Sequence, residues 1–267
     1  EDGVFKMWYC GGEKCALGFA TSQDGIHWDK YENNPIFGRG KGGEEGTVRQ
    51  NNVLKHKGIY YLFYVTDSKD MYVATSKNGI EYKKYPKPIL SHDPDSWDIN
   101  MANNFQWVDS EGNWFMIYES QYNDGYALWN MGLAYGDSPF KWYKYGDKPL
   151  DSIQKGNGMF GGPWVLKINN IFYLFHHASV TRDNLPTDIY IHYSTDLVNW
   201  YGDDKGPLVT RTQPHWELDQ TADPSIVEAN GKTYLYYDGN DNTLDTGYRA
   251  WIGYVYYKGL ISNSLAK

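Results

Sequence analysis

Three features of the sequence predict an all-β chain folded as a five-bladed β-propeller, with four-stranded antiparallel blades and an incomplete first blade. A run of alternating aromatic and aliphatic residues occurs as Phe5-Lys6-Met7-Trp8-Tyr9, Tyr60-Tyr61-Leu62-Phe63-Tyr64, Trp114-Phe115-Met116-Ile117-Tyr118, Phe172-Tyr173-Leu174-Phe175-His176 and Thr233-Tyr234-Leu235-Tyr236-Tyr237. The copies lie roughly 55 to 60 residues apart, a period that marks a repeat architecture. Each follows a turn dipeptide (Asp2-Gly3, Lys57-Gly58, Glu111-Gly112, Asn169-Asn170, Asn230-Gly231), so each reads as the second strand of a hairpin. Finally, the turn Ser22-Gln23-Asp24-Gly25 returns as Ser76-Lys77-Asn78-Gly79, with Trp28 and Tyr82 at the same offset. Those turn residues tolerate positive φ.

In chain order, the first unit supplies strands at Val4 to Cys10 and Ala16 to Thr21, then a short edge strand at Pro35-Ile36-Phe37. It lacks an innermost strand, which either precedes residue 1 or does not exist. The second unit has Val48 to His56 as its inner strand, Tyr60 to Val65 next, Met71 to Thr75 third, and an edge opened by Pro88. The third has Asn104 to Val108, Trp114 to Glu119, Gly132 to Tyr135 and an aromatic at Trp142. The fourth has Trp164 to Lys167, Phe172 to His177, Asp188 to Tyr193 and Trp200. The fifth has Asp223 to Glu228, Thr233 to Asp238 and Trp251 to Tyr256, and Leu260 to Asn263 is expected to lie beside the N-terminal unit and close the ring. Because repeated units share neighbours, one domain over 1–267 is expected, with blades at about 1–38, 48–90, 97–150, 161–210 and 222–263.

Aromatic residues make up 17% of the chain against 22% charged, too aromatic for a disordered segment and suited both to packed sheets and to sugar binding. A net charge of -8 argues against nucleic acid as the main partner. No apolar run approaches the ~20 residues that span a bilayer, and no signal peptide is visible. The chain begins at Glu1 without a methionine, so upstream residues are expected to have been removed or omitted. Cys10 and Cys15 flank Gly11-Gly12-Glu13-Lys14 in a hairpin loop. They are either a bridge, which would favour an exported or cell-surface protein, or a pair of free thiols. Zinc is disfavoured, since no second Cys or His pair sits at ligand spacing.

The phrases Met7-Trp8-Tyr9, Leu17-Gly18-Phe19-Ala20-Thr21-Ser22-Gln23-Asp24-Gly25-Ile26-His27-Trp28 and Ala222-Asp223-Pro224-Ser225-Ile226-Val227 resemble the blade signatures of five-bladed propeller glycoside hydrolases. Those comprise families 32, 43, 62, 68, 117 and 130, with the phrasing nearest to family 43-like proteins. The resemblance covers essentially the whole chain and implies a hydrolase acting on a glycan. It implies no required cofactor, and makes a structural Ca²⁺ or Na⁺ on the propeller axis plausible. No Asp/Asn loop here has EF-hand spacing.

Strand order puts the starts of inner strands and the ends of second strands at one mouth. Counting back eight positions from each turn residue reaches Gln50, Asn104, Gly162 and Asp223; the second strands close on Cys10, Val65, Glu119, His177 and Asp238. Glycoside hydrolysis usually needs two carboxyl groups about 5 to 9 Å apart, one protonated to donate to the leaving oxygen and one ionised to activate water or attack. The resemblance places an Asp base or nucleophile in an Asp-Pro setting, which Asp223 matches. Glu119 is the candidate acid, since partial burial would raise its pKa, and Asp98 is a candidate orienting carboxylate. Arg49, Gln50, Asn104, Trp164, His177 and Asp238 are candidate substrate contacts, whereas His176 aligns with the Tyr of other blades and points to core packing.

Each has a plainer reading. Asp223 opens a turn, Glu119 pairs with Arg182 or Arg249, Asp98 is a surface turn residue, and Arg49 pairs with Glu44 or Glu45. The loops Ser120 to Asn130, Ala178 to Thr187 and Gly239 to Ala250 carry Tyr122, Tyr126, Trp129 and Tyr248 among polar residues, which suits pyranose rings or loop packing. Two departures weaken the enzyme reading: Arg49-Gln50-Asn51 stands where relatives often have Arg-Asp-Pro, and Gly161-Gly162-Pro163 where they often have Glu-Gly-Pro. A non-catalytic glycan-binding or structural propeller is therefore the alternative.

Overall fold

The computed structural model describes all residues except 13–14, 123–127, 151–157, 180, 182–184, 203–205, 213–216, 218, 241–249 and 266–267, and omits the side chains of 122 and 250. The chain is all-β, built as five antiparallel sheets in sequence order. Two compact units hold them: Glu1–Ser120 with Ala134–Asp147, and Gln121–Leu133 with Lys148–Lys267.

The first unit contains the sheet β1 (Phe5–Gly11), β2 (Ala16–Ser22), β3 (Asp29–Lys30) and the sheet β4 (Arg49–His56), β5 (Ile59–Val65), β6 (Met71–Ser76), β7 (Lys83–Lys84). The third sheet follows as β8 (Asn100–Val108), β9 (Trp114–Tyr122), β10 (Leu128–Ser138) and β11 (Lys141–Lys144). The second unit contains β12 (Phe160–Ile168), β13 (Ile171–Ala178), β14 (Asp188–Ser194), β15 (Tyr201–Gly202), then β16 (Gln220–Ala229), β17 (Lys232–Asn240) and β18 (Ala250–Tyr257).

Local chemistry accounts for the hairpins. Two-residue loops between right-twisted strands favour positive φ at both positions, and Lys57-Gly58 (48°, 79°) and Asn230-Gly231 (52°, 71°) adopt it, as does the turn Asp2-Gly3 (51°, 77°) ahead of β1. The recurring serine turns have one geometry. Ser22 Oγ accepts the Gly25 N–H at 2.9 Å, while Asp24 Oδ1 accepts those of Ile26 and His27 at 2.8 Å each. Ser76 with Asn78, and Ser194 with Asp196, repeat it. Trp28, Tyr82 and Trp200 follow each turn, and Trp200 donates its indole N–H to the Leu197 carbonyl at 2.9 Å.

Adjacent sheets of the first unit bury Leu17, Phe37, Val48 and Tyr64 in one core, and Phe63, Met71, Trp97, Trp114 and Trp142 in another. The second unit buries Phe175, Ile189, Ile226, Leu235 and Tyr237. His176 is fully buried, as its alignment with the tyrosines implies.

The structure corrects three expectations. Leu260 to Asn263 do not form a closing strand: Ile261–Leu265 is a short helix, α1, whose Ile261 and Leu265 pack on the core of the second unit, with Leu265 O accepting the Tyr173 hydroxyl at 3.0 Å. The fifth sheet, like the first, has three strands among the described residues. In the first blade Ile36 and Phe37 run beside Leu17 through an isolated bridge, and the outer strand is Asp29–Lys30. Cys10 and Cys15 form a disulfide.

Candidate functional site

Three inner strands carry a β-bulge near their start: between Arg49 and Asn52, between Gly161 and Trp164, and between Ala222 and Ser225. The first residue within each bulge lies in the left-handed region, Gln50 at φ 44°, Gly162 at 61° and Asp223 at 50°. A bulge re-aims a side chain out of the alternating pattern, and left-handed backbone at a non-glycine residue costs about 1 kcal/mol or more. Gln50, Gly162 and Asp223 are three of the four positions that counting back from the turns selected.

In the second unit Asp223, His177 and Asp238 converge. The Asp223 amide donates to His177 Nδ1 at 3.2 Å, and Asp223 Oδ1 lies 3.3 Å from the same nitrogen. That nitrogen accepts from the amide when the ring is neutral and donates to the carboxylate when it is protonated. The His177 side chain is 5% exposed and that of Asp223 43%, so Asp223 is the member that faces solvent. Asp238 lies opposite Ala222 in the β16–β17 register. Gln220 Nε2 is 3.3 Å from both of its oxygens. Burial and then the nearby charge of Asp223 push the Asp238 carboxyl up to about 7, with His177 and Gln220 opposing. One carboxyl therefore keeps its proton near neutrality beside an exposed second.

Gly162 makes the cluster sterically possible. A Cβ there would stand 2.5 Å from Asp223 Oδ1 and 2.7 Å from His177 Nδ1. The neutral residue at this bulge is thus required by its neighbours. Trp164, two residues on, is partly buried and packs against the core of the second unit.

In the first unit Glu119 is 3% exposed and accepts from Asn103 Nδ2 at 2.9 Å. Arg182 and Arg249, its suggested partners, lie outside the described residues, as do Tyr126 and Tyr248. Asn104 is buried in an amide network: its Nδ2 donates to Gln50 O at 2.8 Å, and its Oδ1 accepts from Gln106 Nε2 at 2.9 Å. Asn52 Nδ2 in turn donates to Gln106 Oε1 at 2.8 Å. Asn104 therefore braces the inner strands and is not an exposed sugar contact. Arg49 is exposed and pairs with Asp67, not with Glu44 or Glu45.

Asp98 is neither a surface turn residue nor an open site carboxylate. It is 1% exposed, pairs with Lys144 Nζ at 2.6 Å and accepts the Tyr118 hydroxyl at 3.3 Å. Glu44 does the same in the preceding blade, with Lys84 Nζ and the Tyr64 hydroxyl both at 2.8 Å. Glu217 accepts the Tyr237 hydroxyl at 3.5 Å in the fifth. A carboxylate ahead of the inner strand thus binds the tyrosine of the second strand, and in two blades a lysine of the outer strand.

Sequence reasoning missed Asn103 and Gln220. Both are set by strand pairing, which no local motif signals. Among the described residues no group of three or more His, Cys, Asp or Glu is arranged to hold a metal ion, so the axial cation made plausible by the resemblance has no such ligand set there, and no step below uses one. No helix among them is long and apolar enough to cross a membrane.

No family model matches the chain. It is 26% identical over 217 residues to a 1,2-beta-oligomannan phosphorylase of Thermoanaerobacter sp., covering 75% of this chain and 67% of that one. It is also 28% identical over 148 residues to an uncharacterized protein, Rv1502, of Mycobacterium tuberculosis, covering 50% of this chain and 47% of that protein. The chain thus spans about half the length of the first curated relatives it matches. A solved structure described as a glycoside hydrolase superposes with a TM-score of 0.74 at 16% identity, over 97% of this chain and 85% of that one. A thermostable family-43 glycoside hydrolase does so at 0.67 and 12%, over 90% and 81%. The chain has the fold of the five-bladed propeller glycoside hydrolases.

Proposed function

We propose that the protein cleaves glycosidic bonds of an oligo- or polysaccharide with the carboxyl groups of Asp223, at the bulged start of an inner strand, and Asp238, on the strand beside it. The observation that carries this reading is the Asp223, His177 and Asp238 cluster, in which an exposed carboxylate lies beside a carboxyl pushed up to about 7. Asp223 is the base or nucleophile: it removes a proton from water attacking the anomeric carbon, or attacks that carbon itself. The bond from that carbon to the leaving oxygen breaks, and the oxygen takes a proton from a carboxylic acid. Asp238 is the donor that its surroundings favour, since burial pushes its carboxyl up. His177 fixes Asp223 in either state of its ring, accepting from the Asp223 amide when neutral and pairing with the carboxylate when protonated. The disulfide supports an exported or cell-surface location.

A second reading is supported by the oligomannan phosphorylase relative: inorganic phosphate replaces water and the product is a sugar 1-phosphate. β-1,2-linked mannooligosaccharides are therefore the first substrates to try, with and without phosphate, followed by a panel of polysaccharides and product analysis. Free sugar in phosphate-free buffer supports hydrolysis; sugar 1-phosphate formed only with phosphate supports phosphorolysis. Asp223→Asn is expected to lower either rate by about 10²- to 10⁴-fold with the melting temperature nearly unchanged. A parallel Asp238→Asn variant tests the donor. Saturable binding without turnover on every substrate would instead support the glycan-binding module that Gln50 and Gly161-Gly162 suggested.

A further inference from the structure

The backbone of Gln220 is held on both sides. At the start of β16 it lies opposite Asn240 of β17, and on its other edge it forms a parallel bridge with Thr187, just ahead of β14. The Thr187 N–H donates to the Asp219 carbonyl at 3.2 Å, and the Thr221 N–H donates to the Thr187 carbonyl at 3.1 Å. The hydroxyls of Thr187 and Thr221, both buried, each donate to the other residue's carbonyl at 3.3 Å. The Gln220 side chain therefore starts from a fixed point.

From there its amide reaches the Asp238 carboxyl. Directly paired residues of antiparallel strands share a face, so Gln220 opposite Asn240 and Asp238 opposite Ala222 stand diagonally on one side of the sheet. Gln220 Nε2 lies 3.3 Å from Asp238 Oδ1 and 3.3 Å from Oδ2. Among the described residues the charged groups that act on Asp238 are Asp223 of β16 and His177 of β13, while the uncharged Ile252 opposes it on β18. Two buried carboxylates of the first unit have a different partner. Glu44 meets Lys84 Nζ and Asp98 meets Lys144 Nζ, and the lysine helps to hold Glu44 below its ordinary value. A cation keeps a buried carboxylate ionised, whereas a neutral amide leaves it free to titrate.

We propose that Gln220 is a positioning residue for proton donation by Asp238, its amide orienting the carboxyl before the transfer and binding both oxygens after it. This inference rests on the reading of Asp238 as donor. A protonated carboxyl offers one bare oxygen to the amide, since the other carries the hydrogen. That other oxygen is left to present its O–H to the leaving group. As the glycosidic bond breaks, its electron pair stays with the leaving oxygen, which takes the Asp238 proton and leaves a carboxylate behind. Both carboxylate oxygens then accept from Nε2, which carries two hydrogens. The contact strengthens as charge develops, which is the condition for an interaction to lower a barrier.

The test is titration of the Asp238 carboxyl by carbon-13 NMR of the whole chain, wild type against Gln220→Leu, with the resonance identified by its loss in Asp238→Asn. The wild-type midpoint is expected at about 7. In Gln220→Leu it is expected higher by about one pH unit, because the ionised form loses a charge-assisted hydrogen bond. Turnover of β-1,2-linked mannooligosaccharides is the second readout. The leucine variant is expected to show kcat about tenfold lower at pH ~6, KM within about twofold, and an alkaline limb displaced upward with the Asp238 midpoint. If that variant melts early, Gln220→Met replaces it, and the wild type supplies a third readout: the Gln220 side-chain amide resonance should titrate with the Asp238 midpoint. An Asp238 midpoint that the variants leave in place would overturn the proposal. So would a Gln220 amide insensitive to pH, or a loss of turnover carried by KM alone. A displaced midpoint in a protein that turns over no glycan would uphold the hold of Gln220 on Asp238 and remove the glycosidase reading instead.

Discussion

Gly162 and Asp223 sit in adjacent blades of one unit with no room between them: a single added carbon on the glycine would stand 2.5 Å from the Asp223 carboxylate. The glycine also holds φ at 61°, a conformation that a side chain strains. Gly162→Ala is accordingly expected to cost about 1–3 kcal/mol of stability and to displace Asp223 from His177. A loss of turnover larger than the fall in melting temperature explains is the expected signature. An alanine variant with full activity would show that the contact is dispensable.

Asp238 makes a pH prediction with a definite sign. Its carboxyl is raised from 3.8 to about 7, so the unfolded chain releases this proton at lower pH than the folded chain does. Its stabilising contribution is complete below pH ~4 and is lost as pH rises through about 7. Above that, the folded state carries a crowded charge costing on the order of 4 kcal/mol. Asp238→Asn should therefore melt higher than wild type at pH 8 and differ less at pH 5. If Asp238 is the proton donor, wild-type turnover should fall as pH rises through the same range.

His176 predicts the opposite dependence. It is fully buried, its Nε2 lies 2.8 Å from His192 Nδ1, and its Nδ1 is 3.0 Å from the His177 carbonyl. A carbonyl only accepts, so His176 carries its proton on Nδ1 and accepts from His192. Burial, then the neighbouring His192, hold its pKa well below 6.5. Below that value the unfolded chain gains a proton that the folded chain refuses. Stability is complete above pH 6.5 and falls beneath it, by up to about 2 kcal/mol at pH 5. Melting curves from pH 7.5 to 5 should show the decline, and His176→Gln should flatten it.

Glu44 tests the recurring buried carboxylate. Burial pushes its carboxyl up, but Lys84, the Gly46 amide and the Tyr64 hydroxyl outweigh that and hold it below its ordinary value. Lys84→Met leaves the charge without its cation and is expected to cost about 3 kcal/mol. The double variant Lys84→Met with Glu44→Gln should recover much of that loss in denaturant titration.

Local residue chemistry was enough to read the five blades. Alternating aromatic runs, Asp2-Gly3 and Asn230-Gly231 turns and the serine turns act over a few residues, and their consequences appear wherever those residues occur. His176 as a core residue and Asp223 at the start of an inner strand were legible for the same reason. Asp98 and Asn104 were not, because residues alike in sequence become a blade clasp or a brace according to which partner reaches them. Nor did any motif foretell that α1 would replace a closing strand. The Asp223 to Asp238 coupling depends on a one-residue bulge in β16, and only the folded register determines which side chains share a low-dielectric pocket and hence which carboxyl keeps its proton.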